Sequence, residues 1–143
     1  MASGWKPHLA EATKFYRADE LDEAFEASKC ALKAGGDESH QVHTMIGAVL
    51  AKMDDPDRAE AAYRRAIELD GAAAQAWAGL ATLYEGQFDD GDDNREILEE
   101  PYEKLVELTK ETPKATAWKT KLAALQRELG RASIDDGPPS GSG

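Results

Sequence analysis

His40-Gln-Val-His-Thr-Met-Ile-Gly-Ala-Val-Leu50 and Ala74-Gln-Ala-Trp-Ala-Gly-Leu-Ala-Thr-Leu-Tyr84 lie 34 residues apart and align without a gap. Counted from each start, position 7 is Ile46 or Leu80, position 8 is Gly47 or Ala81, and position 11 is Leu50 or Tyr84. Continuing the first copy puts Ala59 at 20, Tyr63 at 24 and Ala66 at 27, while the second copy has Trp77 at 4. Small residues at 8 and 20 let two helices of a hairpin approach closely, near the short end of the usual helix spacing. Large residues at 4, 7, 11 and 24 fill the space around that contact. Such a hairpin leaves an apolar face uncovered and must stack on a neighbour. The predicted fold is therefore all-α: an α-solenoid of antiparallel helix pairs. Gly47, Ala59, Tyr63, Ala66, Trp77, Leu80, Ala81 and Tyr84 are its structural repeat positions.

The period and its residue types resemble the tetratricopeptide repeat. Breaks fall where that period needs them. Asp54-Asp55-Pro56-Asp57 ends one helix and starts the next, with Pro56 suited to a first turn. Upstream, Leu9, Ala12 and Phe15/Tyr16 mark one helix and Ala24, Phe25, Ser28, Ala31 and Leu32 its partner, with Asp19-Glu20 between them and Gly35-Gly36 closing the pair. The predicted organisation is repeat 1 over 5–39, repeat 2 over 40–73 and repeat 3 over 74–110. Repeat 3 departs from the rule. Its inter-helix loop, 85–95, is about five residues longer than the period allows. Its second helix reads from Arg95 or Glu96 to Leu108 with Leu98, Tyr102, Leu105 and Leu108 on one face, and Pro101 predicts a kink or a displaced helix start. A last helix, 113–130, carries Trp118, Leu122, Leu125 and Leu129 and is a cap or a half repeat. The Gly/Ser/Pro-rich 131–143 is predicted to be a disordered tail.

Composition narrows the function. The chain of 143 residues has 41% hydrophobic and 31% charged residues and a net charge of −11. Residues 85–111 hold 11 acidic groups against 3 basic, and 112–143 hold 5 basic against 3 acidic. An acidic surface repels phosphate backbones, which argues against direct nucleic-acid binding. No apolar run approaches the ~20 residues of a membrane span. One cysteine, Cys30, and no apolar leader at the N-terminus predict a reducing compartment, cytoplasmic with the nucleus as the alternative.

Chemistry is sparse. His40 and His43 sit three apart on one helix, but no third ligand has a matching spacing, so packing or surface roles are predicted rather than zinc. Cys30 reads as a buried small hydrophobe. The Asp89-Asp-Gly-Asp-Asp-Asn94 run has the composition of a calcium loop without its register, since Arg95 falls where glycine is required and Pro101 where the bidentate glutamate belongs. No phosphate loop or nucleophile motif occurs. The chain is read as no enzyme, with no cofactor, metal or catalytic residue.

In tetratricopeptide arrays the first helix of each pair lines a concave groove. The resemblance carries that role to Gln41, Thr44, Ala48 and Lys52, to Gln75, Ala78, Thr82 and Glu85, and to Lys119 of the last helix, alongside Thr116, Ala123 and Arg127. These side chains suit a protein or peptide partner with apolar and small contacts. Co-chaperone members hold a carboxylate with basic groups at such positions, and among these positions of the second and third repeats Lys52 alone is basic, which disfavours that alternative. A narrower resemblance rests on Pro56-Asp-Arg-Ala-Glu-Ala-Ala-Tyr-Arg-Arg-Ala-Ile-Glu-Leu69, Ala76-Trp-Ala-Gly-Leu-Ala-Thr-Leu-Tyr-Glu85, the long loop and Pro101-Tyr-Glu-Lys-Leu-Val-Glu-Leu108. It is to the N-terminal repeats of the third subunit of the superkiller (Ski) complex, over about residues 8–130. It implies a scaffold or adaptor arm in cytoplasmic exosome-mediated mRNA decay, in contact with the helicase and other subunits of that complex.

Overall fold

The computed structural model describes residues 4–87 and 93–130. Among the described residues seven α-helices follow one another: α1 Trp5–Arg17, α2 Leu21–Lys33, α3 His40–Lys52, α4 Pro56–Leu69, α5 Ala74–Gln87, α6 Glu99–Leu108 and α7 Lys114–Glu128. Short 3-10 segments, Gly36–Glu38 and Asp93–Leu98, precede α3 and α6, and no strand occurs among the described residues. The chain is all-α, as the period predicts. It divides into two compact units, residues 1–83 and 84–143, with the division inside α5.

In the first unit α1 packs on α2, α3 on α4, and α2 on α3. Both hairpins turn in the same way. Asp19 (φ 62°) and Asp54 (φ 64°) take the left-handed conformation just past α1 and α3. Glu20 N–H then bonds Phe15 O at 2.9 Å and Asp55 N–H bonds Leu50 O at 2.9 Å, so the last carbonyls of each first helix are satisfied. Left-handed backbone costs an L-residue about 1–2 kcal/mol, and aspartate is among the few non-glycines that adopt it readily. Asp55 then caps α4, its Oδ1 accepting from Arg58 N–H at 3.4 Å, with Pro56 in the first turn where no N–H is needed. Ser39 caps α3 by accepting from Val42 N–H.

The core of this unit is alanine-rich. Ala12, Ala24, Ala31, Ala59, Ala66 and Ala76 are all fully buried, beside Val42, Val49, Trp77 and Leu80. Tyr63 of α4 explains the spacing. A Cβ at Gly47 would fall 2.7 Å from its ring, and a Cβ at Gly79 would fall 2.4 Å from it. The ring thus rests on bare backbone of α3 on one side and α5 on the other. Burial, with a smaller contribution from Tyr16, pushes the Tyr63 phenol well above its usual range.

In the second unit α6 packs on α7. The α-helix begins at Glu99, three or four residues later than the Arg95 or Glu96 start read from the sequence, and a 3-10 turn occupies Asp93–Leu98. Pro101 explains the shift. It has no N–H to donate to Ile97 O, so it fits the third helical position, whose N–H is unused, and not a later one. Leu98, Tyr102 and Leu105 are buried on one face of this segment. Thr112 Oγ1 accepts from Lys114 N–H at the start of α7. The predicted tail 131–143 and loop residues 88–92 lie outside the described residues.

Candidate protein-binding site

The first helices of the first unit each have one buried and one open side. On α3, Val42, Ile46, Gly47, Val49 and Leu50 are buried, whereas Gln41 and Lys52 are exposed and Thr44 and Ala48 half-buried. On α5, Ala76, Trp77, Leu80 and Ala81 are buried, Gln75 and Thr82 exposed and Ala78 half-buried. The open sides therefore present amide, hydroxyl and methyl groups. Thr44 Oγ1 donates to His40 O at 2.7 Å, which fixes its rotamer. Lys52 has local company. Its Nζ lies 3.7 Å from Asp19 Oδ1 and 4.7 Å from the Tyr16 ring centroid. This cation is partly neutralised by the α1–α2 turn, which weakens it as a carboxylate clamp.

Glu85 behaves differently from the other groove candidates. It is half-buried in the second unit, where one carboxylate oxygen, Oε2, accepts from both the Tyr102 hydroxyl and Lys121 Nζ, the latter at 2.9 Å. Lys121 in turn lies 5.3 Å above the Trp118 ring, whose centroid is 6.0 Å from that of Tyr102. Arg95 Nε meets Glu128 Oε2 at 2.8 Å, with the Arg95 side chain only 13% exposed. Burial raises the Tyr102 phenol above its usual range, and the bond to Glu85 raises it further. The geometry makes Glu85 an internal anchor of the second unit. Lys119 is exposed on α7.

His40 Nε2 sits 3.4 Å from Asp70 Oδ2, and His43 Nε2 lies 3.0 Å from Asp37 O, so the two rings meet different groups. Among the described residues no three His, Cys, Asp or Glu side chains converge as a metal-binding group. The calcium-like run lies outside the described residues except for the backbone of Asp93 and Asn94. Cys30, read from sequence as buried, is exposed. The inward face of α2 is Ala24, Ala27, Ser28 and Ala31, and residue 30 points roughly 100° away from that stripe on a 3.6-residue helix. No described helix is long and apolar enough to cross a membrane.

No family model matches the chain. It is 32% identical over 109 residues, 76% of its length, to Tetratricopeptide repeat protein 37 of Xenopus laevis. Over 105 residues, 72% of its length, it is 35% identical to Superkiller complex protein 3 of Mus musculus. It spans 7% and 6% of the lengths of these relatives. Among solved structures, the first TPR of Spaghetti (RPAP3), bound to HSP90 peptide SRMEEVD, matches with a TM-score of 0.74 at 15% identity, covering 91% of this chain and 96% of that one. That likeness concerns the fold. The chain belongs to the tetratricopeptide-repeat family.

For a tetratricopeptide array, the burial of Gly47, Ala59, Tyr63, Ala66, Trp77, Leu80, Ala81 and Tyr84 is a packing fact, and none of these side chains is available to a partner. Sequence reasoning missed Gly79, which stands outside the eight repeat positions yet takes the closest approach to Tyr63. Its signal was present: a second glycine two residues before the small position 8, on a helix with no turn nearby. It also missed the Glu85, Tyr102 and Lys121 contacts, which join residues 17 and 36 apart and follow no period.

Proposed function

We propose that this tetratricopeptide array is a scaffold or adaptor that holds a segment of a partner protein on the open sides of its first helices. In the first unit the residues concerned are Gln41, Thr44, Ala48 and Lys52 on α3 and Gln75, Ala78 and Thr82 on α5; in the second unit, taken by itself, it is Lys119 on α7. The repeat limits that go with this reading are 5–39, 40–73 and 74–110, closed by 113–130. Identity of 32–35% across about three quarters of the chain with two repeat proteins carries the reading, since it covers the irregular third repeat as well as the common pattern. Similarity to Superkiller complex protein 3 supports a place as an arm of a superkiller-type assembly, cytoplasmic and acting in exosome-mediated mRNA decay beside a helicase. A protein-binding surface, with neither nucleic acid nor membrane as direct partner, also agrees with the net charge of −11.

Affinity capture with the chain from cytosolic extract, read by mass spectrometry, tests the proposal. Recovery of a helicase with exosome factors is the expected result. Recovery that Gln75→Glu with Thr44→Glu leaves unchanged would remove the groove assignment, and recovery of heat-shock chaperones alone would replace the superkiller reading with a co-chaperone one.

A further inference from the structure

The second unit holds one of its own cations against a carboxylate and an aromatic ring at once. Lys121 Nζ donates to Glu85 Oε2 at 2.9 Å and lies 5.3 Å from the centroid of the Trp118 ring. A carboxylate beside the face of an indole attracts ammonium and guanidinium groups twice over, through its charge and through the ring quadrupole. The buried Tyr102, 6.0 Å from Trp118 between ring centroids, steadies the arrangement by donating its hydroxyl to the same Oε2. Lys121 is held loosely there. Its side chain is 46% exposed, whereas Arg95, which meets Glu128 in the same unit, is 13% exposed. A half-exposed lysine pair contributes little, because holding a long side chain in place offsets most of the attraction. The fit is also incomplete. Both bonds fall on Oε2, and among the described residues Oε1 takes none. An ammonium is a point charge served by one oxygen, while a guanidinium is a planar fork that takes two and stacks on an aromatic face.

We infer that Glu85 and Trp118 form a binding site for an arginine side chain of a partner protein, and that Lys121 fills the site until that side chain displaces it. The inference rests on the adaptor reading and adds the partner's chemistry to it. The exchange leaves no charge uncompensated. The guanidinium takes over Glu85, Tyr102 keeps its bond to Oε2, and the Lys121 ammonium passes into water. The surroundings draw a cation in, since residues 85–111 hold 11 acidic groups against 3 basic, with Glu100 and Glu103 exposed on α6. Lys114, Lys119 and Arg127 on α7 oppose a run of positive charge. The occupant is therefore a single arginine flanked by uncharged residues.

The test titrates the full chain with a capped Gly/Ser peptide carrying one central arginine, and follows the indole N–H signals of Trp5, Trp77 and Trp118 by NMR. Peptides with lysine or the neutral citrulline in place of arginine serve as comparisons. The expected result is a saturable shift of the Trp118 signal alone, with arginine about threefold or more tighter than lysine and citrulline without effect. Lys121→Gln vacates the site and should tighten arginine binding about threefold or more, an outcome that a purely structural lysine would not give. Glu85→Gln still offers Tyr102 an acceptor but has no charge, and should weaken arginine binding about tenfold or more. An unchanged Trp77 signal checks that each variant is folded. Equal shifts with arginine and citrulline, no tightening in Lys121→Gln, or unchanged binding in Glu85→Gln would each overturn the proposal. The adaptor reading fails separately, if the unmodified chain recovers no partner protein from extract. Partners recovered by a chain that ignores the arginine peptide would end the Glu85–Trp118 site and leave the adaptor reading standing.

Discussion

The α3–α4 hairpin and the segment from Glu85 to α7 solve the same packing problem with different chemistry. In α3–α4, small residues bring two helices together and one large ring, Tyr63, fills what is left, with Gly47 and Ala59 buried at the contact. In the second unit the ring is Tyr102, and its neighbours are a glutamate, a lysine and a tryptophan in place of glycine and alanine. The first arrangement is apolar and indifferent to salt. The second has a half-buried carboxylate whose bonds must all be made, because an uncompensated charge at such depth is costly. A lengthened loop comes with the second kind. With the connection outside the period, the two helices do not inherit the standard contact, and directional bonds define how they meet.

The contrast can be broken from either side. Tyr63→Ala should destabilise the first unit most, by about 3–5 kcal/mol, as for other buried aromatics, seen as a lower denaturant midpoint. Alkaline titration should follow. Both buried phenols ionise at higher pH in the folded state than the ordinary value of 10.0, so their stabilisation is complete below about pH 10 and is lost as pH rises through the folded values. Tyr63→Phe should flatten that loss in the first unit and Tyr102→Phe in the second, monitored by helicity. Gly79→Ala should cost about 1–3 kcal/mol by driving a methyl into the Tyr63 ring, and a restored stability in Gly79→Ala with Tyr63→Leu would tie the cost to that ring. Tyr102→Phe at neutral pH should cost about 1–2 kcal/mol by leaving Glu85 short of a donor. The smallest effect is that of salt. Raising NaCl to about 1 M should speed amide exchange in α7 by a few-fold, since partly exposed ion pairs contribute at most about 1 kcal/mol, while α3 and α4 stay unchanged.

What was legible in the sequence is what repeats. Ala59, Ala66 and Ala81 could be assigned to the interior because side-chain size recurs at a fixed interval, and size is what close helix contact selects. The Asp19-Glu20 and Asp54-Asp55 breaks were legible for the same reason, although their left-handed geometry was not, since aspartate is equally at home in an ordinary cap. Gly79 was passed over because it sits off the repeat positions. Position placed Glu85 on the groove side, and only the fold brings Tyr102 and Lys121 to it. Cys30 failed by a single step around the helix: apolar neighbours in sequence say nothing about face when the buried stripe is as narrow as four small residues.

Tyr63 has one more consequence. Its ring is owned by α4 yet closes a gap against α3 and a second gap against α5, so residues on both sides of position 73 share a single side chain. Cutting the chain there would leave a large phenol with half of its lining gone. Melting of the fourth and fifth helices should therefore be joined, and a fragment ending at 73 should be less cooperative than its helix count suggests, because the tie between consecutive repeats runs through one residue.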